Sequence, residues 1–191
     1  TMSTELSNTD KLREFVEELK RLNISIIRPC INKSFADFKS EKNKIYYALS
    51  AIKSVGKEAV SNIIDERKKN GKFSSINNFI NRVNPKNINK LQLEGLVKAG
   101  AFDELYNNRG TLLKAIPKII QVNKLLWEEK ISNQTSLFSN KNENNEIIFK
   151  FNEQDGFSKK EILLNEFQSI GFYMSDHPLN IFKDYFNILN I

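Results

Sequence analysis

The sequence of 191 residues predicts a mainly α protein with a small β element, and three observations lead there. Apolar residues recur at helical spacing in successive segments, with capping residues before them and glycine or proline after them. Only two runs, residues 24–27 and 45–48, are short and rich in β-branched or aromatic side chains, as strands are. Residues 51–67 read as a short helix, a three-residue turn Ser54-Val55-Gly56 and a longer helix, and the rest of the chain is organised around them.

Taken in order, residues 1–7 lack periodicity and are expected to be a mobile lead-in or a cut through a longer chain. Thr9 or Asp10 can cap a helix running to about Leu22, with Leu12, Phe15, Val16, Leu19 and Leu22 on one face. Arg28-Pro29 ends the first extended run, and the second leads directly into the turn, so the two are expected to pair in a small sheet. In the long helix after the turn, Ala59, Val60, Ile63 and Ile64 share a face, and Gly71 ends it. Ser74 or Ser75 caps a helix carrying Ile76, Phe79, Ile80 and Val83, which Pro85 stops. Residues 89–99 carry Leu93, Leu96 and Val97 and run into Ala99-Gly100-Ala101-Phe102-Asp103, a second and degenerate copy of the turn.

From Arg109 to about Ile131 the pattern is helical again, and Pro117 should either kink that helix or begin a new one. Trp127 reads as a packing residue within it. Residues 132–145 are the least globular, rich in Ser, Asn, Lys and Glu, and contain Gln134-Thr135-Ser136-Leu137-Phe138. An adjacent Leu-Phe pair in a polar segment is expected to dock, on its own chain or on a partner. Residues 147–151 alternate like a strand. Ser158 with Glu161 then forms a capping-box signature for a helix that Gly171 ends, and residues 172–179 make a turn into a last short helix. His177, the only histidine, is expected to be structural.

Composition narrows the function. Lys and Arg number 29 against 23 Asp and Glu, a formal +6 that favours a polyanionic partner. The surplus is local: Lys53, Lys57, Arg67, Lys68, Lys69 and Lys72 face Glu58, Asp65 and Glu66, which is half of it. A solvated helix end would have the same composition. Cys30 is the single cysteine, so no internal disulfide can form, and one Cys with one His excludes the familiar zinc sites. No metal or other cofactor is expected. No apolar run approaches a membrane span and no signal peptide is evident, so a cytoplasmic protein is expected. The seven Asp residues form no Asp-x-Asp pair, which argues against two-metal catalysis, and no catalytic residue is assigned.

The central turn has its own chemistry. Gly56 is expected to permit a backbone that a side chain would resist, and the helix that follows has four N–H groups without partners and a dipole favouring negative charge. For a basic chain the expected anion is a nucleic-acid phosphate. The pattern resembles the helix-hairpin-helix motif of non-sequence-specific DNA-binding proteins, with Ser54 where the first glycine usually stands. An ordinary helix–turn–helix corner packed in a core is the alternative. Two such motifs joined by a helix would form a compact unit gripping both strands of a duplex, with Lys53, Ser54, Val55, Gly56 and Lys57 in the first copy and Lys98 and Gly100 in the second.

Four stretches then point one way: Asn32-Lys33-Ser34-Phe35, Tyr47-Ala48-Leu49-Ser50-Ala51-Ile52-Lys53-Ser54-Val55-Gly56, Val97-Lys98-Ala99-Gly100-Ala101-Phe102-Asp103, and Gly171-Phe172-Tyr173-Met174-Ser175-Asp176-His177-Pro178-Leu179. In this order and spacing they resemble the alpha subunits of bacterial DNA polymerase III, in the part that follows the catalytic core. The last motif usually reads Gly-Phe-Tyr-Leu-Ser-Gly-His-Pro-Leu, so Met174 and Asp176 depart from it, and Asp tolerates a positive φ better than most residues. The resemblance implies an end of the fingers over residues 1–37, a tandem helix-hairpin-helix unit over 38–108, a helical clamp-binding region over 109–180 and the start of a connection to the next domain from 181. It also makes Gln134, Thr135, Ser136, Leu137 and Phe138 similar to the pentapeptide with which clients bind the sliding clamp. The implied partners are duplex DNA, the clamp and the other domains of the polymerase, a nucleotidyltransferase whose catalytic aspartates lie in a palm domain that this sequence lacks. Two other classes stay open: a helix-hairpin-helix repair enzyme, a glycosylase or nuclease with Asp65 or Lys57 beside a base-flipping pocket, and a protein-interaction module whose basic surface is incidental.

Overall fold

A computed structural model describes residues 2–132, 150–151 and 156–183. Among these residues the order is α1 (Thr9–Arg21), β1 (Ser25–Ile27), β2 (Lys39–Glu41), β3 (Lys44–Tyr46), α2 (Lys57–Asn70), α3 (Ile76–Arg82), α4 (Lys90–Lys98), α5 (Arg109–Ser132) and α6 (Lys159–Ile170). Short 3-10 turns occupy Met2–Thr4, Leu49–Ala51 and Pro178–Phe182. The protein is mainly α with a small β element, as its periodicity implies.

Asn8, rather than Thr9 or Asp10, caps α1: its side chain accepts from the Lys11 N–H at 3.2 Å. Leu22 is the C-cap, its N–H still bonded to the Glu18 carbonyl, and its side chain is 56% exposed rather than on the buried face expected for it. The lead-in is structured as well, because Met2 is buried in the common core. Strand β3 is central in the sheet, parallel to β1 and antiparallel to β2. The parallel pair is the one expected from sequence. Strand β2, Lys-Ser-Glu, is exposed throughout and carries no apolar signal. Because β1 pairs with β3, the backbone ladder crosses the division expected at Asp37.

Helices α2, α3 and α4 bury the faces expected of them, and on α6 Leu163 and Ile170 are buried whereas Phe167 is 45% exposed. Ser75 caps α3, accepting from the Asn78 N–H, and Asn89 with Gln92 forms a capping box on α4. Phe73, Phe79 and Phe102 meet edge to face with centroids 5.1 and 5.0 Å apart, a geometry that adds to their burial. The chain stays helical through Pro117, and Trp127 is half-buried. Buried Asn123 on α5 donates to the carbonyls of Ile80 and Val83 at 2.5 and 2.9 Å, supplying partners to the α3 terminus. The Ser158–Glu161 capping box starts α6 as predicted. The strand expected over residues 147–151 falls almost wholly outside the described residues. Phe151, which is described, stacks on Tyr106 at 4.7 Å.

Candidate nucleic-acid interface

The first hairpin forms where the sequence places it, with its strain at a different residue. Ser54 is the left-handed one, at φ 67°, whereas Gly56 has φ −75° and ψ 150°, a conformation open to any residue. The backbone freedom assigned to Gly56 is therefore not what makes the turn; Ser54 bends the chain at the position of the usual first glycine. Val55 points inward and is buried, and Ser54 and Gly56 are exposed.

Not every hairpin N–H faces out. Lys53 donates its backbone N–H to the Ser169 carbonyl at 2.8 Å, and Val55 donates to Ile52 at 3.1 Å. The donors left without a hairpin acceptor belong instead to the start of α2, where Lys57 and Glu58 are exposed and Ala59 is buried. Gly56 brings no side-chain cap, and the first bond of the helix runs from the Val60 N–H to the Gly56 carbonyl. Lys57, Glu58 and Ala59 thus have no acceptor within the helix. Beside them Lys57 stands 3.3 Å from Asp37, with both side chains more than half exposed, a pair weak enough to be exchanged for a phosphate. The Lys53 side chain is exposed.

Two elements hold this hairpin from behind. The α4 helix approaches so closely that a Cβ on Gly95 would lie 2.8 Å from the Lys53 carbonyl and 3.2 Å from Val55. Only glycine allows that approach, and a glycine inside a helical pattern was the one sequence signal for it. From the other side, half-buried Lys98 donates from Nζ to Gln168 on α6 at 3.4 Å.

The second copy differs more. Gly100 ends α4 at φ 77°, where the N–H groups of Gly100 and Ala101 close on the Val97 and Leu96 carbonyls, and residues 99–108 separate α4 from α5. Gly100 is buried beneath Arg109, and a Cβ there would lie 2.2 Å from Arg109 Nη2. Its face is covered, so no tip comparable to Ser54–Gly56 is presented at Gly100.

Arg109 and Glu166, which periodicity did not single out, are 6% and 1% exposed. The guanidinium donates to both Asp103 oxygens, at 2.8 and 2.6 Å, and to the Lys98 carbonyl at 3.2 Å, and lies 3.5 Å from Glu166. Burial opposes its charge, but the Asp103 bonds and the Glu166 charge outweigh that and raise its pKa. The other Glu166 oxygen accepts from the N–H groups of Met174 and Ser175 and from the Ser175 hydroxyl, at 3.3, 3.0 and 2.9 Å. The Gly171–Leu179 motif is thus a turn wound around a buried carboxylate.

Asp176 holds that turn with its side chain. The positive-φ non-glycine residues among those described are Asn23, Lys42 and Ser54, so Asp176 does not use the left-handed tolerance expected of it. Its carboxylate accepts from Lys159, Asn180 and the His177 N–H, and the Lys159 bond is the largest reason why it lies well below the usual carboxylate range. His177 Nδ1 accepts from the Leu179 N–H, a structural role.

Arg67, counted above in the local surplus, is engaged internally. It donates to the Ile31 and Ser34 carbonyls at 2.6 and 2.9 Å, and burial lowers its pKa. Asn32 exchanges two hydrogen bonds with the Phe73 backbone, and Cys30 donates to Glu104, so the first of the four stretches is packed structure. Gln134, Thr135, Ser136, Leu137 and Phe138 lie outside the described residues. Among the described residues no group of three or more His, Cys, Asp or Glu could hold a metal ion.

A family model described as a helix-hairpin-helix motif matches residues 23–112. The DNA polymerase III subunit alpha of Borreliella burgdorferi is 40% identical over 195 residues, which cover 100% of this chain and 17% of that protein. Those of Caulobacter vibrioides and Campylobacter jejuni are 32% and 36% identical, covering 94% and 99% of this chain and 16% of each relative. The chain therefore spans under a fifth of the length of these relatives.

Proposed function

The chain belongs with the DNA polymerase III alpha subunits, as the counterpart of one portion of them, and we propose that this portion binds the backbone of duplex DNA and docks on the sliding clamp, without itself catalysing. The observation that carries the DNA half is the start of α2, where a helix of 14 residues opens with no side-chain cap behind an exposed turn flanked by Lys53 and Lys57. Backbone donors and the helix dipole recognise phosphate without reading bases. Such contact suits an enzyme that must pass over every sequence. Lys98 adds a third cation at the α4 terminus, and Gly100 contributes by letting α4 end there.

The clamp half rests on sequence: Gln134 would hydrogen-bond at the rim of a cleft, Thr135 and Ser136 would span it, and Leu137 and Phe138 would fill it. Two weak contacts on one chain reinforce each other, because the first raises the local concentration of the second. Processive replication is the consequence, carried out in the cytoplasm with the remaining polymerase domains. No helix among the described residues is long and apolar enough to cross a membrane.

Binding to the cognate clamp tests this half. A Leu137→Ala, Phe138→Ala double substitution should abolish ~micromolar binding, since each buried anchor is worth about 2 kcal/mol or more. Equal binding by both proteins would remove the pentapeptide from the proposal. A loss of bases from duplex DNA on incubation with the chain would replace it with the repair-enzyme reading.

A further inference from the structure

We infer that Arg109 and Glu166 are positioning residues for the first hairpin: their buried ion pair sets the place of α6, and α6 holds Lys53 and Lys98. The inference rests on the DNA-binding reading and deepens it. The last carbonyls of a helix have no partner within it, and the Ser169 carbonyl near the end of α6 finds one in the Lys53 N–H at 2.8 Å. Ser169 turns its own hydroxyl back onto the Asn165 and Glu166 carbonyls, so its hydrogen bond to the hairpin comes from the backbone. One residue earlier, Gln168 accepts from Lys98.

Both contacts depend on where α6 sits along α4, and a carbonyl–amide bond tolerates little displacement. Glu166 fixes that position within the same turn of helix. One of its oxygens faces Arg109, which also grips Asp103 and the Lys98 carbonyl, and the other gathers Met174 and Ser175. The end of α4, the start of α5, the end of α6 and the following turn therefore meet at one buried charge cluster. A buried pair is poor at adding net stability and well suited to selecting one arrangement of elements.

The charges give the test a sign. Glu166→Gln removes a negative charge, so an effect of net charge alone would tighten binding to duplex DNA. Loss of positioning should instead weaken it about tenfold and reduce the salt slope by about one phosphate contact. Hydrogen exchange reads the same event without DNA: the Lys53 amide should exchange about tenfold faster as its acceptor shifts, while amides of β1 and β3 keep their rates. Val16→Ala in α1 serves as a control for destabilisation elsewhere, and Ser175→Ala, which removes one Glu166 bond at an exposed residue, should give an intermediate Lys53 rate. That milder variant keeps the test alive if Glu166→Gln fails to fold. An unchanged Lys53 amide in Ser175→Ala and Glu166→Gln, or tighter duplex binding by Glu166→Gln, overturns the inference. Failure of the unsubstituted chain to bind duplex refutes the DNA-binding reading alone, and the amide rates still decide whether the pair positions the hairpin.

Discussion

Replacing Ser54 with glycine should stabilise the protein. Ser54 is exposed and sits at φ 67°, a conformation that costs an L-residue roughly 1–2 kcal/mol and glycine almost nothing. Against that, glycine brings about 0.5–1 kcal/mol more chain entropy to lose on folding. The difference leaves up to ~1.5 kcal/mol in favour of Ser54→Gly, worth up to about 6 °C in melting temperature for a chain of this size. Urea unfolding should show a higher midpoint at an unchanged slope, because the buried surface is the same. The companion Ser54→Val should move the midpoint the other way, since a β-branched side chain is worse still in that region. Duplex affinity should change less than about twofold in the glycine variant, because the donors at the start of α2 stay in place. Destabilisation of Ser54→Gly by about 1 kcal/mol would refute the reasoning, since the native hydroxyl would then be making a contact larger than the backbone strain.

Gly100→Ala should be severely destabilising, because its Cβ would displace the Arg109 guanidinium from Asp103 and Glu166. Disrupting a buried pair costs on the order of 3–5 kcal/mol, readable as a fall in urea midpoint, and a loss below ~1 kcal/mol would contradict the packing at Arg109. Asp176 makes a pH prediction. Its folded pKa is depressed, so the unfolded chain binds its proton first, and the stability from the Lys159, Asn180 and His177 contacts is present above the unfolded aspartate value and is lost as pH falls through the acid range. Asp176→Asn should therefore flatten the dependence of stability on pH below about 4 and leave it unchanged near 7; equal acid profiles would count against those contacts.

Much of the framework was legible because caps and periodicity are local. Ser75, the Ser158–Glu161 box and the Gly171 terminus all lie where sequence chemistry places them. Strand β2 was not, since a three-residue exposed strand gains its structure from its partner and carries no pattern of its own. Ser54 and Gly56 show a subtler limit: the motif announces a turn, and which residue bears the positive φ is settled by the packing of Val55 and the approach of Gly95. Arg109 and Glu166 read as ordinary helix charges, because their burial depends on three elements converging from distant parts of the chain. Asn123 likewise breaks an apolar face in sequence and becomes intelligible only with the α3 carbonyls beside it.

The central claim is that the first hairpin holds phosphates, and duplex binding measured against salt tests it directly. Comparing the chain with its Lys53→Glu, Lys57→Glu variant, the account predicts weaker binding to duplexes of every sequence and a salt slope smaller by about two phosphate contacts. An unchanged slope with the fold intact would contradict it, placing the DNA on another face of the molecule or removing it altogether.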